Sequence, residues 1–243
     1  LQIDASIGNN EFTESFGHVV INGASAFNMV TGATSPTIQG NLTISTTGTV
    51  GLSNSTTSAS TLTINGNLTI DANGTLIIDN SNGTSNISKK IVVNGNYNQS
   101  SGTLNFCNST GAITASTRNA QLDVYGDFSH TGGTLTETAT DTDMITRVNL
   151  LGTTSKSFAT TGQANQVELI INKSGTTGND LASLSANSAI SYKLTLTDGL
   201  LVLGSNNLTI AATATITAPG STASMIVADG SGELRKTYTA TGS

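Results

Sequence analysis

The residues that could do chemistry crowd into one stretch. Asp123, Asp127, Glu137, Asp141 and Asp143 lie together with His130, and Arg118 and Arg147 flank them. Glycoside hydrolysis needs two carboxyl groups about 5 to 10 Å apart across a sugar, and lyases of β-helical architecture combine such acids with Lys or Arg. If the chain is an enzyme, Asp127, Glu137 and Asp123 are the residues to carry catalysis. The competing reading, which we favour, is that they are solvated residues on the faces and loops of a repeating structure. Asp141 and Asp143, separated by one Thr, are weak calcium candidates, because the Gly and distal Glu of an EF-hand loop are missing. His18 and His130 are far apart and Cys107 is alone, so no zinc cluster is expected and no cofactor is implied. Cys107, next to Phe106, reads as a small core residue. Trp is absent, which leaves Tyr97, Tyr125, Phe128 and Tyr192 as possible sugar platforms, and Phe128 occupies the position of Leu42 and Leu68 and reads as core.

The elements that would position these side chains repeat. An apolar residue, any residue, then Gly recurs at Ile21, Ile38, Ile64, Val93, Val124 and Leu150, at spacings of 17, 26, 29, 31 and 26 residues. Four units continue alike, as GNLTISTTGTV, GNLTIDANGTL, GNYNQSSGTL and GDFSHTGGTL. Within them apolar residues alternate with Thr, as in Leu42-Thr43-Ile44 and Leu62-Thr63-Ile64. Period two with β-branched residues means strands. Gly48, Gly74, Gly102 and the Gly132-Gly133 pair mark corners, where backbone at positive φ lets the chain turn. Pro occurs only at 36 and 219, as a sheet whose ladder needs its N–H groups requires.

A unit of this size divided by corners is one coil of a parallel β-helix, so the predicted fold is an all-β solenoid, with about nine coils at the inter-strand spacing of about 4.8 Å. Length changes between units place variable loops at Ser53 to Ser60 and Asp79 to Lys90. Residues 1–148 carry the Gly-Asn-Leu-Thr-Ile type repeats; residues 149–243 read as the same solenoid with another coil sequence, or as a distinct β region such as an immunoglobulin-like sandwich. The many Asn-X-Ser/Thr triplets, including those at Asn41 and Asn67, are expected as corner and ladder residues rather than glycosylation sites.

Composition narrows the partners. Only 10% of residues are charged, the net charge is −6, and no Lys or Arg precedes Lys89, so nucleic acid is not an expected partner. Apolar runs are far shorter than the about 20 residues of a membrane-spanning helix, so no transmembrane helix is expected. The first residues lack the basic start and apolar stretch of a signal peptide.

The segments RVNLLGTTSKSF, VELIINKSG, KLTLTDGLLVLGSNNLTI and ASMIVADGSGELRKTYTATGS, between Arg147 and Ser243, resemble repetitive surface and secreted proteins of the Bacteroidota, many exported by type IX secretion. The resemblance implies a cell-surface or extracellular location, an adhesin-like role in a large parent protein, and further β-structure beyond Ser243. It transfers no catalytic residue. The expected function is therefore a structural or adhesive segment, whose partners are further β domains of the same protein or filament and surface glycans. The alternatives are a polysaccharide lyase or glycoside hydrolase on a β-helix, and an ice-binding solenoid suggested by outward Thr, against which unequal coil lengths count.

Overall fold

The computed structural model describes residues 1–3, 14–23, 26–30, 32–82, 86–110, 118–140, 144–175, 180–217 and 220–239. Alternating apolar residues form short strands, and every pairing between strands of the ladders is parallel. No helix occurs among the described residues. The chain is a β-solenoid that winds about eight turns, slightly fewer than the repeat count predicts.

Three faces make up a turn. The first face stacks Thr37–Ile38, Ser60–Ile64, Ser88–Val93, Asn119–Val124, Ile145–Leu150, Val167–Asn172, the start of Lys193–Val202, and Thr215–Thr217. The second includes Val19–Ile21, Leu42–Ile44, Leu68–Ile70, Tyr97–Gln99, Phe128–His130 and Lys156–Thr160. The third stacks Phe27–Val30, Thr49–Ser53, Thr75–Asp79, Thr103–Cys107 and Thr134–Thr136.

The core is a set of columns running along the axis. Ile38, Ile64, Val93, Val124, Leu150 and Ile171 form one column on the first face, all buried. Each such side chain contributes about 1.5 to 3 kcal/mol by leaving water. On the second face Leu42 and Leu68 give way to Tyr97, Phe128 and Phe158, whose rings stack at centroid distances of 4.9 and 5.7 Å. Phe128 is thus core, as its place in the repeat predicts. The aligned Ile-x-Gly motifs begin at Ile38, however. Ile21 pairs with Ile44 on the second face, so the motif at Ile21-Asn22-Gly23 ends a strand of another face and is no member of the first-face series.

Corners need glycine for two reasons. At Gly126 a Cβ would sit 2.3 Å from the Gly95 carbonyl of the turn beneath, so the close stacking leaves no room for a side chain. Gly133 combines both: it has φ +76°, a left-handed conformation that favours glycine, and a Cβ there would lie 2.3 Å from Gly102 O. Gly74 is of the first kind: its Cβ would lie 2.2 Å from Thr46 O.

Ile145–Leu150 pairs with the strand before it and the strand after it, so the first-face ladder runs without interruption past residue 149. What changes there is the cross-section. The described third-face ladder ends at Thr134–Thr136, and a new one stacks Ser188–Ile190, Leu208–Ile210 and Leu234–Lys236. The two segments predicted as loops, Ser53 to Ser60 and Asp79 to Lys90, both join the third face to the first, but Ser53, Ser60, Asp79 and Ser88 to Lys90 are strand residues rather than loop.

Candidate functional site

Four successive turns from first to second face carry an Asn or Asp directly after the corner Gly, at Asn41, Asn67, Asn96 and Asp127. Asn41 Oδ1 accepts the backbone N–H of Asn67 at 2.9 Å, Asn67 that of Asn96 at 2.8 Å, and Asn96 that of Asp127 at 2.9 Å. Asp127 Oδ1 continues the series by accepting Ser157 N–H at 2.8 Å. The same device returns on the later face, where Asn187 accepts from Asn207 N–H and Asn207 from Glu233 N–H. Asp127 is therefore a rung of a side-chain ladder that satisfies corner N–H groups.

A second set of polar groups is inside the solenoid. Arg118 Nε meets Asp79 Oδ2 at 2.8 Å, with both side chains fully buried, and its Nη2 donates to Ser81 O and Oγ. Lys89 Nζ donates to Ser53 Oγ, Ser60 Oγ and Ser58 O, and burial lowers its pKa to about 8, opposed by the nearby Asp79 carboxylate. Cys107 lies in register with Asp79, and burial, with help from that carboxylate, pushes its thiol up to about 12, so it is an inert core residue. Glu137 follows Leu135 by two residues and turns inward near Cys107; burial raises its pKa, and Oε1 has no hydrogen-bond partner. His130 is buried with Nδ1 3.0 Å from Thr160 Oγ1, and burial lowers its pKa.

The outer side of the first face carries the third set. Register places Lys90, Gln121, Arg147, Glu168 and Lys193 in one column, one per turn, with Asp123 and Asn149 in the next. Lys90 Nζ pairs with Asp123 Oδ2 at 3.1 Å, while Asp123 Oδ1 accepts from Gln121 Nε2 and Asn149 Nδ2, each at 2.6 Å. Glu168 Oε1 pairs with Lys193 Nζ at 3.0 Å and accepts from Thr195 Oγ1 at 2.6 Å. Arg147 stands between these two ion pairs, forms neither, and its buried Nε has no hydrogen-bond partner. Beside it a recess of about 220 Å³ opens between Ile145, Gln166, Glu168, Tyr192 and Lys193, with Met144 and Thr146 behind.

The sequence-predicted acids thus fall in three different places. Asp127 is a corner rung, Glu137 faces the interior, and Asp123 lies on an outer face in a hydrogen-bonded ion pair. Of the flanking cations, Arg118 is interior and Arg147 exterior. Asp141 and Asp143 lie outside the described residues. Among the described residues no cluster of His, Cys, Asp and Glu is arranged to hold a metal ion, and no helix is long and apolar enough to cross a membrane. Sequence reasoning missed Glu168 and Lys193, although their side of a period-two strand was readable; what was not readable was their alignment with Arg147 across turns of unequal length.

Searches against protein-family models, curated proteins and solved structures each return no match to the chain.

Proposed function

We propose that the chain is a structural or adhesive segment of a large bacterial cell-surface or extracellular protein, with no catalysis of its own. The observation that carries this reading is the dispersal of the three candidate acids: a glycosidase needs two carboxyls facing one substrate, and here one serves a backbone ladder, one points inward and one is held by three partners. The resemblance of the later coils to Bacteroidota surface proteins supports the location and the parent protein.

Further β-structure stacked on the last coil belongs to the same reading. An apolar groove of about 380 Å³ opens there between Ile210, Ala214, Ile216 and Leu234, and Leu234 is 49% exposed. Lys236 Nζ covers part of that end by donating to the carbonyls of Ala211 and Ala214. Such an edge is a template for another strand. An ice-binding role finds less support, because Lys90, Arg147, Glu168 and Lys193 interrupt the Thr rows of the first face.

The test is incubation with a panel of acidic and neutral polysaccharides, with and without calcium, alongside attachment of chain-coated beads to the same polymers immobilised. Attachment without new reducing ends or unsaturated products is expected. Turnover that disappears in Asp123→Asn while the melting curve is unchanged would overturn the non-enzymatic reading.

A further inference from the structure

The geometry points to a binding subsite for a carboxylated sugar residue on the outer first face, in the recess between Ile145, Gln166, Glu168, Tyr192 and Lys193, with Arg147 beside it as the anion anchor. It rests on the adhesive reading and names the ligand class for it.

Charge is the first ground. Basic residues are few in this chain, 9 against 15 acidic, yet three of them, Lys90, Arg147 and Lys193, share one column of one face. The two carboxylates among them are already taken, Asp123 by Lys90 at 3.1 Å and Glu168 by Lys193 at 3.0 Å. One positive charge is left over, and it is Arg147. A uronate ring carries one negative charge, in a planar carboxylate that a guanidinium fork can bind through two parallel hydrogen bonds.

The guanidinium left without an acid partner is the second ground. Arg147 Nε is buried without a partner, and leaving such a donor unpaired is costly. The neighbouring acids do not supply the acceptor: Asp123 Oδ1 is occupied by Gln121 and Asn149, and Glu168 Oε1 by Thr195 and Lys193. Nε itself is closed to solvent, so a ligand carboxylate would meet the guanidinium through its terminal nitrogens, which form neither of the neighbouring ion pairs.

Shape is the third. A volume of about 220 Å³ is below the roughly 300 to 1,000 Å³ of sites for drug-sized ligands and suits a single ring. Its wall offers what a sugar needs: the partly exposed Tyr192 ring for the apolar face of the pyranose, and the Gln166 amide, the Lys193 ammonium and the Glu168 carboxylate for hydroxyls. Because turns repeat about every 4.8 Å, a bound chain has further outward side chains along the face on which to lie.

The experiment measures binding of the 243-residue chain to immobilised oligogalacturonate, with neutral dextran and dextran sulfate as comparison surfaces, at two salt concentrations. Binding to the uronate polymer, not to dextran, is expected, weakened at least tenfold in Arg147→Ala and severalfold in Tyr192→Ala, with Arg147→Lys recovering only part. Both side chains face outward, and an unchanged thermal melt for each variant confirms that the solenoid is intact. Uronate binding that neither variant weakens overturns the site while leaving the adhesive reading standing, as does bead attachment to other polymers with no uronate binding. Equal binding to dextran sulfate overturns the carboxylate assignment. Release of unsaturated or reducing products from the bound uronate would instead overturn the adhesive reading and leave the site in place.

Discussion

Asp127 Oδ1 accepts the backbone N–H of Ser157 at 2.8 Å, the same bond that Asn96 makes to Asp127 itself one turn earlier. An acid that sequence spacing offers as a catalytic residue thus occupies an asparagine's place in a backbone ladder. The bond needs an acceptor oxygen and no charge. Asp127→Asn should therefore leave the chemical-denaturation midpoint unchanged, since the amide oxygen can accept as Asn96 does. Asp127→Ala leaves the Ser157 N–H without that acceptor and should cost about 1 kcal/mol. A large loss in Asp127→Asn would show that the charge, and with it the neighbouring Lys173, matters more than the ladder.

The Arg118–Asp79 pair inside the solenoid gives the opposite expectation. Both side chains are fully buried, and Arg118 is further held by Ser81. Removing one partner strands a buried charge, at about 3 to 5 kcal/mol. Arg118→Met and Asp79→Leu should each lower the unfolding midpoint markedly, and the double replacement should recover part of the loss. Additive losses in the double variant would show that the two charges do not depend on each other.

How much of this was legible in the sequence can be judged residue by residue. The column of Ile38, Ile64, Val93 and Val124 was readable because each ends a period-two strand ahead of a Gly that stacking demands. Ile21 defeated the same rule, since an apolar-x-Gly motif marks a strand end on any face. Asp127 was readable as a ladder residue from Gly-Asp-Phe standing where Gly-Asn-Leu stands elsewhere, and the alternation of Leu135 with Glu137 signalled an inward acid. The outer column at Arg147 was hidden, because turns of 26 to 31 residues are followed by shorter ones, and only the hydrogen-bonded register brings Glu168 and Lys193 beside it. The buried Arg118 and Lys89 were illegible for a simpler reason: charged side chains are ordinarily solvated, and Lys89, at the start of the strand Ser88–Val93, is among the exceptions.

Lys89 makes a pH prediction. Its pKa falls from 10.5 in the unfolded chain to about 8 in the fold, so between these values the unfolded state binds more protons. Stability should then rise with pH across that window, and the burial cost should be fully present below pH 8. Lys173, also lowered by burial, acts in the same direction. Cys107 and Tyr97, both raised by burial, oppose it above about pH 9. The difference between the native chain and Lys89→Met isolates the effect. That gap should narrow as pH rises from 8 to 10, and a gap independent of pH would contradict the assignment.

Glu137 should behave as a cost at neutral pH. Burial raises its pKa above 4.5, with a backbone contact at Ala139 only partly opposing, and Oε1 finds no partner. A carboxyl whose folded pKa is raised favours the folded state when protonated, and that contribution is present below pH 4.5 and lost as pH rises through the folded value. Glu137→Gln keeps the shape and discards the charge. At pH 7 it should raise the denaturation midpoint relative to the native chain, and the advantage should shrink to nothing on acidification toward pH 4. A catalytic Glu137 predicts something different: loss of turnover in Glu137→Gln at pH 7 together with little change in stability. Parallel melts at pH 4 and pH 7, beside a polysaccharide cleavage assay, separate the two roles. A midpoint that falls in Glu137→Gln at pH 7 would mean that the ionised carboxylate holds a favourable contact, and that burial is not what governs it.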